Sequence, residues 1–132
     1  MTHKLLKTGD VKQYRRIITE ADAAVFENGM VHPVYATFAL ARDAEWACRQ
    51  FVLEIKAADE EGIGTYLTVN HFSPALIGEE ILFKAMMKSI KGNEIICSYE
   101  AKVGERLIAS GETGQKILKR SKLDRIFASI AK

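Results

Sequence analysis

Residues 36–56 contain neither glycine nor proline, and this limits what the chain can become more than any other feature. At about 100° per residue, Phe38, Leu40, Ala41, Ala44, Ala47, Cys48, Phe51, Val52 and Ile55 gather on one broad face. Arg42, Asp43, Arg49, Gln50 and Glu54 fall opposite. A long helix with one apolar face needs a wide surface to lie against, and the rest of the sequence must supply it.

The remaining sequence alternates with the period of strands. Residues 11–18 read as an edge strand, Glu27-Asn28-Gly29 as a loop, and His32-Pro33 as a stop before the helix. Beyond the helix comes an acidic loop, Asp59-Glu60-Glu61-Gly62. Residues 64–71 then place Leu67, Val69 and His71 on one side and Tyr66, Thr68 and Asn70 on the other. Residues 80–91 form the next strand, and Gly92-Asn93 is a hairpin turn. In residues 94–103, Ile95, Cys97, Tyr99, Ala101 and Val103 alternate with Ile96, Ser98, Glu100 and Lys102. Gly104-Glu105 turns the chain into residues 106–118, and a short basic helix over 121–130 ends it. One strand, one long helix and four consecutive strands make an α+β order. It predicts an antiparallel sheet wrapped around one long central helix, the hotdog fold.

Composition narrows the function classes. A chain of 132 residues that is 48% hydrophobic reads as one domain over residues 1–132 with one real core. Nineteen basic against seventeen acidic residues leave a charge of +2, which gives no pull toward nucleic acid or membrane. No apolar run is long enough to span a bilayer. The first ten residues lack the apolar core of a signal peptide. Cys48 and Cys97 stand alone, as in a reduced, cytoplasmic protein. The histidines show no metal-ligand spacing, and nucleotide-binding loops and the serine elbow are missing, so no metal or cofactor is expected.

Three polar residues stand out. Thr37 opens the helix on its apolar face, Glu45 lies two turns later at the border of that face, and His71 points to the apolar side of its strand. A carboxylate and an imidazole beside a buried cavity can hold or activate water, and a hydroxyl can orient a carbonyl. Each also has a plainer reading. Glu45 can pair with Arg42 and Arg49, His71 can be a core histidine bonded to a carbonyl, and Thr37 can cap the helix. His3 and His32 read as a terminal and a structural residue.

At these positions the sequence resembles the hotdog thioesterases similar to fluoroacetyl-CoA thioesterase. The likeness rests on His32-Pro33-Val34-Tyr35-Ala36-Thr37, on Glu45-Trp46-Ala47-Cys48, and on Gly64-Thr65 running to His71 and Ala75-Leu76. It extends over roughly residues 10–120. The resemblance implies that Thr37, Glu45 and His71 are the catalytic set of an acyl-CoA hydrolase, and that Gly64 lets the backbone approach the thioester. It also implies a dimer with sites near the subunit interface. Two departures bear on the substrate. The stretch matching the family's phenylalanine-bearing lid, Glu27-Asn28-Gly29-Met30-Val31, has no aromatic, and the family's basic residue on the last strand falls at Gln115. A short-chain acyl thioesterase therefore fits better than an enzyme dedicated to fluoroacetyl-CoA.

Trp46 lies on the otherwise polar helix face, where its ring needs a second surface. One sheet does not cover so long a helix, so a homodimer, or a tetramer of two dimers, is expected; packing of Trp46 under its own N-terminal loop is the other reading. Lys116, Lys119, Arg120, Lys122, Arg125 and Lys132 face only Asp124. They suit the phosphates of coenzyme A, or a solvated helix end whose dipole favours cations. A non-catalytic acyl-CoA sensor is the alternative function. A hydratase ranks last, because its Asp/His pairing is not recognisable here.

Overall fold

The computed structural model describes residues 6–131, with Met30 and Val31 described by their backbone alone. Elements run in the order β1 (Val11–Ile17), a 3-10 turn (Glu20–Asp22), β2 (Ala23–Phe26), β3 (Gly29–Tyr35) and α1 (Thr37–Ile55). They continue with β4 (Glu60–Leu67), β5 (Asn70–His71), β6 (Glu80–Lys91), β7 (Glu94–Val103), β8 (Arg106–Lys119) and α2 (Arg120–Ile130). The main sheet is antiparallel in the order β1-β6-β7-β8-β4, with β5 following β4 along the same side of β8. Helix α1 packs across it, which gives the α+β hotdog architecture.

The core is the seam between α1 and the sheet. Leu40, Ala44, Cys48, Phe51 and Val52 of α1 are buried against Ile81, Phe83, Met87, Ile95, Cys97 and Ile108. Burying a side chain of Phe or Leu size stabilises by about 1.5–3 kcal/mol, so this seam supplies most of the driving force. Gly92 and Gly104 carry φ of +60° and +57° at the two hairpin turns, where only glycine sits without strain.

Several expectations need correction. Glu27 and Asn28 do form a turn, but it joins two strands not expected, β2 and β3, which pair as a second, two-stranded sheet. His32 and Pro33 lie inside β3, a position open to proline because β3 pairs with only one strand. Glu60 to Gly62 are not loop but the start of β4, and residues 64–71 divide into β4 and β5. On α1, Phe38 is exposed, whereas Asp43 is only 4% exposed. The basic residues near the C-terminus do not stand alone, since Lys119 pairs with Asp59 and Arg120 with Glu61. Arg120, Lys122 and Arg125 also sit in the first turns of α2, where the helix dipole does not favour cations. His3 and Lys132 lie outside the described residues.

Asp43 is buried because it belongs to an ionic cluster. Its carboxylate accepts from Arg16 at 2.9 Å, from Arg42 at 3.1 Å and from the Tyr35 hydroxyl. Asp22, 1% exposed, accepts from Arg16 at 2.5 Å, Arg42 at 2.8 Å and the Thr19 backbone N–H at 2.8 Å. Burial pushes the Asp22 carboxyl up. The bonds from Arg42 and Thr19 and the charge of Arg16 outweigh it and hold the group below the ordinary aspartate range. Removing Asp43 strands the buried Tyr35 hydroxyl and leaves Arg16 and Arg42 sharing Asp22 alone, so Asp43→Ala should destabilise by about 3 kcal/mol in urea unfolding. Asp124→Ala, on the exposed face of α2, should stay within about 0.5 kcal/mol. Because the Asp22 value is lowered in the fold, its contribution is complete at neutral pH. That contribution should be lost as pH falls from the ordinary aspartate range through the lowered value, an acid transition that unfolding at stepped pH would show.

Candidate active site

Helix α1 has no side-chain cap at its N-terminus. Its N-cap is Ala36, and Thr37 is the first helical residue. The Ala36 N–H is met by the backbone carbonyl of Asp22 at 2.8 Å, and Thr37, one residue inside the N-cap, makes no capping bond. The hydroxyl instead lies 2.9 Å from Nδ1 of His71. Those two residues are 34 positions apart in sequence, so the bond reports the tertiary fold and not a local motif.

His71 is held on β5, opposite Ala109 of β8, and the next two N–H groups, of Phe72 and Ser73, donate to the Ile108 carbonyl. The ring's other nitrogen, Nε2, is buried without a protein partner among the described residues. His71 is thus not the core histidine satisfied by a backbone carbonyl: one nitrogen meets a hydroxyl and the other is unengaged among the described residues. Beside it opens a cleft of about 280 Å³, lined by Thr37, His71, His32, Tyr35, Phe72 and Ser73 among others. His32, assigned above to structure alone, therefore faces the same space.

Glu45 stands apart from this pair. Eight residues at about 1.5 Å rise put its Cα roughly 12 Å along the helix from that of Thr37. The ion-pair reading fails, because Arg42 is committed to Asp22 and Asp43, and Arg49 to Glu61 and the Gly62 carbonyl. The carboxylate of Glu45 instead lies over Gly64, where an added Cβ would fall 2.6 Å from Oε2. Gly64 thus makes room first for the carboxylate of its own chain. Two residues earlier, a Cβ on Gly62 would meet Val52 at 2.6 Å, so both inward positions of β4 are bare to let α1 approach.

Aromatic residues missed in the sequence flank the Thr37–His71 pair. The lid stretch itself has none, but Phe26, at the end of β2, meets Phe38 edge-on with centroids 5.9 Å apart. The β2–β3 hairpin therefore leans on α1 one residue from Thr37. Nothing in the sequence signals this, since helical period puts Phe38 on the apolar face, whereas in the fold it is 53% exposed.

A curved antiparallel sheet around one helix, with hydroxyl, imidazole and carboxylate along the helix margin, is the class of the hotdog thioester hydrolases. The family model described as fluoroacetyl-CoA-specific thioesterase matches residues 18–121, and the chain belongs to that family. A Thermus thermophilus hypothetical protein, described as a thioesterase superfamily member, is 31% identical over 97% of this chain and 95% of its own, with a TM-score of 0.92. The fluoroacetyl-CoA thioesterase itself is 18% identical over 96% and 98% of the two chains, with a TM-score of 0.87. A hot-dog-like protein from Thermanaerovibrio acidaminovorans, 14% identical over 92% and 90%, has a TM-score of 0.83. No curated protein matches the chain.

The contact over Gly64 yields a direct test. An alanine there meets only the mobile end of Glu45, so it should move the carboxylate without harming the fold. Gly64→Ala should lower thioester hydrolysis at least tenfold while the urea midpoint stays within experimental scatter of wild type.

Proposed function

We propose that the chain hydrolyses a small or short-chain acyl-CoA thioester to the free acid and coenzyme A, without a metal or cofactor. The observation that carries this reading is the 2.9 Å contact between the Thr37 hydroxyl and His71 Nδ1 at a cleft with room for a short acyl group. Thr37 orients the thioester carbonyl. His71 accepts a proton from the attacking water or returns one to the departing thiolate. Glu45 either activates that water or attacks the carbonyl itself, giving an anhydride that water then opens. Both routes balance as thioester plus water to carboxylic acid plus thiol.

The same reading calls for a second chain. Strand β4 ends the sheet, and its outer edge has no partner among the described residues. Ile63 and Tyr66 are half-exposed along it, as is Trp46 on the helix above. An apolar strand edge of this kind is normally covered. A homodimer joined there would bury Trp46 and bring Glu45 into a closed site. Among the described residues no helix is long and apolar enough to cross a membrane.

Free thiol release should be measured with acetyl-, propionyl-, butyryl-, octanoyl- and fluoroacetyl-CoA. Turnover should be greatest among the short chains, without the exclusive preference for fluoroacetyl-CoA that would restore the dedicated reading. Glu45→Gln and His71→Ala should each reduce kcat by about a hundredfold or more. Wild-type turnover in both variants sinks the assignment, and binding of acyl-CoA with no thiol release establishes the sensor instead. Light scattering should give twice the chain mass, and Trp46→Glu should shift it to the monomer.

A further inference from the structure

Directly opposite Gly64 on the neighbouring strand stands Gln115 of β8. Directly opposed residues of an antiparallel pair point to the same face, with Cβ positions about 5 Å apart. The face here is the inner one, since Gln115 is 1% exposed and the Cβ direction of Gly64 runs into the Glu45 carboxylate. Gln115 is thus a buried amide whose Nε2 has no protein partner among the described residues. Leaving such a donor unpaired in a core is destabilising, where a leucine of similar shape would cost nothing. The carboxylate over Gly64 lies within reach of a side chain of this length.

We propose that Gln115 is a positioning residue for Glu45: its amide N–H, which makes no bond among the described residues, turns to donate to the carboxylate from beneath in the working enzyme and fixes it for work on the thioester. The inference rests on the catalytic reading of Glu45 given above. The surroundings of Glu45 leave this task to an uncharged donor. On its own helix, Arg42 and Arg49 are engaged elsewhere, and Cys48 is a thiol turned to Cys97 and Thr113. From β4, Gly62 and Gly64 bring no side chain, Glu61 pairs with Arg49 and Arg120, and Tyr66 donates to Glu112. From β8, Thr113 and Gln115 are the buried polar groups facing the helix. A lysine or arginine in place of Gln115 would neutralise the carboxylate as well as hold it. An amide holds it and leaves its negative charge available for attack or proton abstraction.

The test compares Gln115→Leu and Gln115→Glu with Glu45→Gln, following thiol release from acetyl-CoA across pH together with urea unfolding. Loss of a donor to the ionised carboxylate should lower kcat about tenfold with little change in KM, because a hydrogen bond to a charged group is being removed. It should also move the acid limb of kcat up by about one pH unit. Gln115→Glu, which adds a like charge, should move that limb further up. A merely structural glutamine predicts the opposite pattern, with stability of the leucine variant altered and kcat and its acid limb unmoved. If the leucine does not fold, Gln115→Met gives the same reading. Unmoved kcat and acid limb in the glutamine variants, with Glu45→Gln inactive, overturn this inference alone. A fully active Glu45→Gln overturns the catalytic reading of Glu45 and this inference with it.

Discussion

The fold hangs on two buried carboxylates. Asp22 and Asp43 gather Arg16 from β1, Tyr35 from the end of β3 and Arg42 from α1 into one cluster. Buried ionic clusters add little net stability, because desolvation offsets the Coulomb gain, but they are strict about geometry. Here the geometry they fix is the start of α1. With the Asp22 backbone carbonyl accepting from Ala36, the helix begins at a set place with no capping side chain. The Thr37 hydroxyl, one residue inside the N-cap and so not a capping group, meets His71 instead.

A second constraint operates at the other end of the site. The inward positions 62 and 64 of β4 are glycines, and α1 fills the space with Val52 and Glu45. The carboxylate is placed by a missing side chain on the strand below it. The Thr37 hydroxyl, which meets the imidazole of β5, and the Glu45 carboxylate are thus set by separate devices, two helical turns apart on one rigid element. Their spacing is therefore a property of the helix itself and changes only if the helix does.

Much of this was legible in the sequence where physics acts locally. Glu80–Lys91 and Glu94–Val103 read out with their true bounds, because strict alternation and a glycine turn leave few other solutions. The helix read out for the same kind of reason. Asp43 did not, since its burial depends on Arg16 from 27 residues away, and helical period assigns a lone aspartate to solvent. The β2–β3 hairpin was hidden by its shortness, its irregular register and a proline within it. Thr37, Glu45 and His71 were each singled out, but no spacing rule could tell capping, ion pairing and core burial from a site. What the structure adds is that Thr37 meets His71 from β5 and that Arg42 and Arg49 are engaged away from Glu45.

The small second sheet has a consequence for how such an enzyme changes over time. Among the described residues, the backbone of the β2–β3 hairpin meets the segment after β5 through an isolated bridge, Val34 with Leu76, and the bond from the Tyr35 N–H to the Ala75 carbonyl. Substitutions at the hairpin's exposed positions, such as His32, leave the packing of α1 on the sheet untouched, unlike those at Tyr35, which is buried and bound to Asp43; yet they alter the wall beside Thr37. Selection can therefore adjust which acyl groups are admitted without renegotiating the machinery that cleaves them. Glycines 62 and 64 and the paired aspartates have no such latitude. Across descendants of one ancestor, the hairpin should diverge while the helix margin and β4 stay still.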